Sequence, residues 1–182
     1  MIQLVGHFKY NASMWVSIKS DLQRSARSHG KFWRLKALFL SPGVSAVILF
    51  RMQDYFFRSR LLLLAYLAHR INLNLHGIDI LPGATIGDGL RIDHPVGIVI
   101  GAGTRIGKNC ILLQNVTVGT RYIDPNKYNN AFPEIGDNVT IGAGAVILGG
   151  VKLGNSCTIG ANSVILADVL EGSTVSGVHK EK

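Results

Sequence analysis

The chain of 182 residues has few cysteines and no long apolar run. Its two cysteines, Cys110 and Cys157, have no histidine or cysteine nearby at metal-ligand spacing, which argues against zinc and favours two buried thiols. The longest apolar runs, 44–50 and 61–68, fall short of the roughly 20 residues of a membrane span. The first six residues lack the charged start and apolar core of a cleaved signal, so we expect a cytoplasmic location.

Acidic residues are scarcest in the first part of the chain. Residues 1–77 contain 11 Lys and Arg against 2 Asp and Glu, whereas residues 78–182 contain 8 against 9. A solvated basic face on short helices explains this excess without any ligand. Nucleic acid is not expected as a partner, because no aromatic-interleaved recognition motif accompanies the charge. Peripheral contact of the basic N-terminal helices with an anionic membrane surface remains open.

What the chain does have is a six-residue repeat that begins near residue 80. Aliphatic side chains recur at Ile80, Ile86, Ile92, Ile100, Ile106, Leu112, Val118, Ile135, Ile141, Ile147, Leu153, Ile159 and Ile165. The fifth residue of each block is small or modest in size, as at Ala84, Val96, Thr104, Cys110, Val116, Val139, Ala145, Val151, Cys157 and Ser163. Such a period predicts a solenoid of short parallel strands, in which three blocks form one triangular coil and Gly or Asn turns the corners.

The repeat is interrupted twice, and the interruptions predict where the site lies. The step from Ile92 to Ile100 is eight residues, which adds two residues to the corner that contains His94. The step from Val118 to Ile135 is seventeen residues, which ejects the loop 121–134 from the coil. A stack tolerates insertions only where they leave the core, and solenoids place their sites on such protrusions.

The residues before the repeat read as helices. The spacing predicts a first helix over 11–28 with a stop at Gly30, a second from Ser41-Pro42 to about Phe57, and a third over 60–73. Their apolar content is high for surface helices, so we expect them to pack against each other and against the solenoid or a neighbouring subunit. The chain therefore divides into an α-helical region, 1–76, and a β-helix domain, 77–182.

His94 is the candidate catalytic group. Asp79 begins the preceding coil and can project to the same face as His94. A carboxylate that holds one imidazole nitrogen fixes the tautomer and raises the basicity of the ring, as a general base requires. The alternative is a structural corner histidine whose hydrogen bonds are satisfied.

Four segments carry a resemblance to a known family. Residues 77–87 (GIDILPGATIG), 92–101 (IDHPVGIVIG), 114–119 (QNVTVG) and 141–145 (IGAGA) resemble the hexapeptide-repeat acyltransferases of the serine acetyltransferase type. The resemblance is close over 77–170 and looser over 20–75. It implies a mainly β fold, a left-handed parallel β-helix after a short α-helical region. It also implies a homotrimer that binds acetyl-CoA between neighbouring solenoids.

The resemblance also assigns roles to individual residues. His94 corresponds to the catalytic base, Asp79 to its orienting carboxylate and Asp93 to the acidic residue beside the acceptor. Backbone N–H groups near Gly119 and Thr120 would stabilise the oxyanion as the acceptor hydroxyl attacks the thioester directly. Backbone contacts to the pantetheine arm fall at Ala143 and Ala161. No metal is implied.

The loop departs from the family pattern just before Pro133. An Arg-His pair that binds the carboxylate of serine in the family is replaced here by Ala131 and Phe132. Without that charge-assisted contact, serine is expected to bind poorly. The aromatic and amide groups of the loop suit a carbohydrate instead, although an ordinary polar surface loop has a similar composition. The candidate acceptor residues are Arg121, Tyr122, Lys127, Tyr128 and Phe132.

The leading hypothesis is therefore an acetyl-CoA-dependent O-acetyltransferase of a sugar hydroxyl, on a small-molecule or lipid-linked acceptor, in capsule, exopolysaccharide or lipopolysaccharide biosynthesis. Serine O-acetyltransferase is the alternative, and a non-catalytic solenoid scaffold is more remote. A γ-type carbonic anhydrase needs three histidines on zinc, whereas we identify only His94 in the coils.

Overall fold

The computed structural model describes residues 14–25, 41–121 and 131–180, and in these ranges three helices precede a solenoid of short strands. Helix α1 spans Met14–Ser25, α2 spans Pro42–Arg58 and α3 spans Leu62–His76. The strands are β1 Asp79–Ile80, β2 Thr85–Ile86, β3 Arg91–Ile92, β4 Val99–Ile100, β5 Arg105–Ile106, β6 Ile111–Leu112, β7 Thr117–Gly119, β8 Glu134–Ile135, β9 Thr140–Ile141, β10 Val146–Leu148, β11 Lys152–Leu153, β12 Thr158–Ile159, β13 Val164–Ile165, β14 Thr174–Val175 and β15 Val178–His179.

The strands form three parallel sheets, one for each side of a triangular coil. Sheet A contains β1, β4, β7, β10, β13 and β15; sheet B contains β2, β5, β8 and β11; and sheet C contains β3, β6, β9, β12 and β14. Each strand pairs in parallel with the equivalent strand of the next coil, as Ile80 does with Ile100. The predicted fold, a left-handed parallel β-helix after an α-helical region, is confirmed.

The side chains predicted to form the interior column are buried, with one exception. All thirteen repeated aliphatic residues lie in the hydrophobic core. Val96, however, is 63% exposed, and Ile98 takes the interior position with 0% exposure. The prediction for Val96 was wrong because the interior residue of each corner comes two positions before the next inward aliphatic residue. The two-residue insertion therefore moves this position from Val96 to Ile98.

The two cysteines are buried free thiols of that interior, as predicted. Desolvation by burial raises the pKa of Cys110 to about 11 and also raises the pKa of Cys157. Both side chains therefore pack as small neutral hydrophobes.

The helices differ from the predicted bounds mainly at α3. Helix α2 begins at the predicted Pro42, although the side chain of Ser41 makes no capping hydrogen bond. Helix α3 continues three residues beyond the predicted end at residue 73 and stops where Gly77 adopts a left-handed conformation, with φ of 65°. The ends of the predicted first helix, 11–13 and 26–28, lie outside the described residues. No helix in the described ranges is long and apolar enough to cross a bilayer.

The last strand contains a second histidine of the coils. His179 lies in β15, paired with Ile165 of β13, so His94 is not the only histidine in the coils. The final coil continues beyond the last aliphatic residue of the repeat because Thr174 and Val175 form a further rung of sheet C.

Helix α2 closes the first coil of the solenoid. Its residues Ala46, Val47 and Phe50 belong to the same core as the interior column of the coils. The side chain of Gln53 donates a hydrogen bond of 2.8 Å to the carbonyl of Ile80. Gly43 lies so close to β3 that an added Cβ would meet the backbone of Ile92. The helix thus covers the apolar end of the stack and donates a hydrogen bond to one of its backbone carbonyl groups.

A buried ion pair joins two helices to this end of the solenoid. Arg51 bonds Asp21 through Nε and Nη2 at 2.8 and 3.2 Å, and also donates to the carbonyls of Ile86 and Gly87, both at 2.7 Å. Asp21 in turn accepts the backbone N–H of Leu90 at 2.9 Å. Desolvation raises the pKa of Asp21, and Arg51 opposes that rise. Every strong polar contact in this cluster crosses between α1, α2 and the first coil.

We predict that Asp21→Ala lowers the free energy of unfolding by about 3–5 kcal/mol, because it leaves the guanidinium of Arg51 buried without its counter-charge. Urea denaturation measures the change. The double variant Asp21→Ala/Arg51→Met is the control and should recover part of the loss, because it removes both charges. A single variant as stable as the wild type would contradict this role of the pair.

Candidate active site

The predicted site residues lie along two edges of sheet A. The CA corner, where each coil passes from sheet C to sheet A, comprises residues 93–98, 113–116, 142–145 and 160–163. The AB corner, where each coil passes from sheet A to sheet B, comprises residues 101–104, 120–133 and 149–151, of which 122–130 lie outside the described residues. His94, Ala143 and Ala161 lie on the CA corner, whereas Thr120 and Phe132 lie on the AB corner.

His94 occupies the inserted corner in a conformation that few residues adopt. Its φ is 60°, in the left-handed region, which is also adopted at other corners of the coils by Asn109, Asn115, Asn138, Ser156 and Asn162. The residue is exposed, and its ring has no hydrogen-bond partner among the described residues. The imidazole is therefore available to a ligand.

Asp79 contacts a histidine that the sequence did not single out. The Nε2 atom of His69, on α3, lies 2.8 Å from Oδ1 of Asp79. His69 is buried, whereas the Asp79 side chain is about one third exposed. No hydrogen bond joins the described side chains of Asp79 and His94, so the orienting role of Asp79 remains a prediction.

The signal for His69 was present in the pattern of its helix. Ala65, Ala68, His69 and Asn72 form a buried face of α3 at helical spacing. A histidine on a buried face must find a polar partner, and Asp79 follows only ten residues later. The missing step was the orientation of α3 against the first coil, which the sequence does not specify.

Asp93, beside His94, is paired with Arg91. The Nε atom of Arg91 lies 2.9 Å from Oδ1 of Asp93, and the Nη2 atom lies 2.8 Å from Oδ2. Both side chains are partly exposed. The pair places a neutralised carboxylate next to the candidate base. The sequence signal for this pair was the spacing of two residues between Arg91 and Asp93, because side chains two positions apart in an extended segment lie on the same face.

The predicted cofactor contacts consist of backbone. Gly119 ends β7 opposite Leu148, and an added Cβ would meet no atom within 4 Å. Within the described residues, the N–H of Thr120 has no hydrogen-bond partner. Ala143 and Ala161 stack in successive coils, where the carbonyl of Ala143 accepts the N–H of Asn162 at 2.8 Å. Contact of these four residues with a cofactor remains a prediction.

The loop is fixed at its end by Phe132. The ring packs over the AB corner of the preceding coil, where a Cβ on Gly101 would lie 2.6 Å from Cε1 of Phe132. Ala131 lies against Gly150 of the following coil, and Arg121 lies beside Gly149. The loop closes at Pro133 and not at Glu134 as predicted, because Glu134 is already in β8 and pairs with Arg105 at 3.1 Å. Three predicted acceptor residues, Tyr122, Lys127 and Tyr128, lie outside the described residues.

No three His, Cys, Asp or Glu side chains of the described ranges converge as metal ligands would.

The two corners form the edges of a face made by sheet A, whose strands are two or three residues long. At about 3.3 Å per residue, this face separates the His94 corner from the Thr120 corner of the same chain by roughly 10 Å. One chain therefore presents the predicted groups as two separate half-sites.

Comparison with known proteins identifies several relatives. The family model described as bacterial transferase hexapeptide (six repeats) matches residues 132–167. The serine acetyltransferase of Helicobacter pylori is 35% identical over 135 residues, which cover 74% of this chain and 75% of that protein. The serine acetyltransferase of Synechococcus elongatus is 36% identical over 119 residues, 65% of this chain. The chain spans only 48% of that second relative.

Solved structures give the same result over most of the chain. A soybean serine acetyltransferase complexed with serine superposes with a TM-score of 0.81 at 34% identity, covering 91% of this chain and 67% of that one. A serine acetyltransferase in complex with CoA has a TM-score of 0.79 at 31% identity, covering 93% and 69%. The similarity therefore includes the helical region as well as the coils.

These relatives overturn the prediction of a sugar acceptor. They are serine acetyltransferases, so the prediction of a sugar hydroxyl in polysaccharide biosynthesis was wrong and its alternative is supported. The expected loss of serine binding rests on Ala131 and Phe132. Phe132, however, packs against the glycines of the adjacent coil and anchors the loop. An apolar residue at this position is a structural feature and no sign of a carbohydrate.

Proposed function

The chain belongs to the serine acetyltransferase family, and we propose that it transfers the acetyl group of acetyl-CoA to the hydroxyl of serine. The observation that carries this proposal is the exposed imidazole of His94 in the inserted corner, on the same edge of the solenoid as Ala143 and Ala161. Related chains of the same fold have been crystallised with CoA and with serine.

In the proposed mechanism, His94 removes the proton from the serine hydroxyl as its oxygen attacks the thioester carbonyl. The attack forms a carbon–oxygen bond, and collapse of the tetrahedral intermediate breaks the carbon–sulfur bond. The proton held on His94 passes to the sulfur, which leaves as the thiol of CoA. The N–H of Thr120 lacks a partner among the described residues, which supports it as a donor to the developing oxyanion. Asp79 stabilises the imidazolium that forms on His94.

His69 acts in this mechanism as a positioning residue. Its bond to Oδ1 of Asp79 occupies one oxygen of the carboxylate, and in the proposed mechanism Oδ2 is the oxygen that orients the imidazole of His94. Because His69 is buried on α3, the orientation of the carboxylate depends on the packing of the helix against the first coil. A carboxylate held at one oxygen loses less entropy when it orients the base.

We further propose that three copies assemble, so that the AB corner of one chain meets the CA corner of the next. Two observations support this arrangement. The half-sites of one chain lie at opposite edges of sheet A, and the outward residues of sheet A are mostly apolar; they are Asp79, Val99, Thr117, Val146, Val164 and Val178. By contrast, sheet B presents Arg105, Glu134 and Lys152 outward.

His94→Asn should lower kcat for serine acetylation by about a hundredfold or more, because the amide cannot accept the proton. Release of CoA thiol from acetyl-CoA with serine as acceptor measures the rate. The fold should survive, since asparagine tolerates a φ of 60° better than histidine. A wild-type protein that fails to use serine would overturn the proposed function. A variant with the wild-type rate would overturn only the role of His94.

His69→Leu should lower kcat by about tenfold to a hundredfold with little change in KM for acetyl-CoA, because Asp79 loses the contact that holds it. His69→Gln, which can still donate to Asp79, is the matched control and should recover most of the rate. The readout that separates positioning from stability is the pH dependence of kcat/KM. An unchanged profile for the leucine variant, with only a lower Tm, would assign His69 a structural role.

Val99→Arg should break the assembly, because it places a charge on the apolar face of sheet A. Light scattering should give the wild type a mass near three times 19.7 kDa and the variant a smaller one. Thr158→Arg, an exposed position on sheet C, is the control and should leave the mass unchanged. A wild-type monomer with full activity would contradict the proposed assembly.

A further inference from the structure

Helix α3 buries two polar side chains and leaves most of its large apolar side chains exposed. The face against the protein consists of Ala65, Ala68, His69 and Asn72, and its two polar side chains bond Asp79 and the carbonyl of Ala46. The opposite side of the helix, here called the outward face, consists of Leu63, Tyr66, Leu67, Arg70, Ile71, Asn74 and Leu75. Leu63 is 82% exposed and Leu75 is 69% exposed.

The outward face continues into the turn between α2 and α3. This turn, the hairpin tip, comprises residues 58–64 and includes Arg60 at a φ of 62°. Four consecutive leucines, 61–64, are exposed at the tip, directly after Arg58 and Arg60. Because residues three and four positions apart are neighbours on a helix, the exposed side chains form one continuous surface. A continuous surface of exposed large apolar side chains is typical of an interaction site.

The charge around this surface is positive. The described residues of the helical region, 14–25 and 41–77, contain six Lys and Arg and only two Asp and Glu. Both acidic residues are already paired with arginines, Asp21 with Arg51 and Asp54 with Arg58. Arg60 and Arg70 are exposed on the tip and on the outward face. The surface therefore combines leucines with a positive field.

The exposed leucines and arginines together favour one class of partner for this helix face over another. A second copy of the face would bring Arg60 and Arg70 close to like charges across the contact, which is unfavourable. An anionic lipid surface attracts the arginines and accepts the leucines at the boundary between headgroups and acyl chains. Tyr66, with an apolar ring and a polar hydroxyl, suits the same boundary.

We propose that the outward face of α3 and the hairpin tip dock onto an anionic lipid bilayer. The helix lies along the surface with Leu63 and Leu67 about 5–10 Å below the headgroups, and does not cross the membrane. Arg60 and Arg70 contact lipid phosphates. The buried face of the helix keeps its bonds to Asp79 and Ala46, so docking leaves the first coil unchanged.

Cosedimentation of the full chain with vesicles tests the proposal. The wild type should bind vesicles of phosphatidylcholine and phosphatidylglycerol at least about tenfold more tightly than vesicles of phosphatidylcholine alone, and high salt should weaken the binding. Arg60→Gln/Arg70→Gln should remove most of this preference. Equal binding to both vesicle types would overturn the anionic requirement.

Two matched leucine variants locate the contact. Leu63→Glu should lower binding by about tenfold or more, because it places a charge where the apolar face enters the lipid. Leu170→Glu, at a position that is 80% exposed on the β-helix, should bind like the wild type. Thermal unfolding should show both variants folded, since both leucines face solvent.

Three results would overturn the proposal. The wild type could remain in the supernatant with phosphatidylglycerol vesicles, or Leu63→Glu and Leu170→Glu could bind equally well. The third result is a wild type that does not bind vesicles and a Leu63→Glu variant with a smaller mass in light scattering. That result would identify the face as a contact between copies of the chain. None of these measurements depends on acetyl transfer, so they remain decisive if serine is not the acceptor.

Discussion

Each coil of this molecule forms backbone hydrogen bonds with the coils above and below it. These bonds form only if successive coils approach closely at every corner. At the CA corner, a Cβ on Gly97 would meet the side-chain oxygen of Asn115 in the next coil, and one on Gly144 would meet that of Asn162. Their positive φ angles allow the turn. Added residues can therefore only project outward, as the insertion at His94 does.

The same constraint leaves the first coil with an apolar end that must be covered. Helix α2 supplies the cover through Val47 and Phe50, and the Asp21–Arg51 pair holds α1 and α2 on the coil. Helix α3 then packs against α2 and β1 and brings His69 to Asp79. The helical region thus has two effects at once: it ends the solenoid, and it fixes a carboxylate of the candidate site.

Sequence reasoning predicted the interior well and the contacts at the surface poorly. The six-residue period located the buried aliphatic residues because a stacked coil has a single way to bury them. It failed at Val96, where an insertion shifts the inward position to Ile98. The acceptor was also predicted wrongly, because Phe132 was interpreted as a ligand contact when its ring packs against Gly101. A pattern of residue types cannot distinguish these two uses of an aromatic side chain.

By itself the sequence determined the parallel β-helix, its two interruptions, the helical region before it and the candidate base His94, because each depends on local period or local chemistry. The tertiary structure decided which groups meet. It paired Asp79 with His69, Asp93 with Arg91 and Asp21 with Arg51, and it turned the leucines of α3 outward. The bonds of Asp79 and Asp21 connect a helix to another part of the fold, and such contacts depend on how elements pack, which no short sequence period encodes.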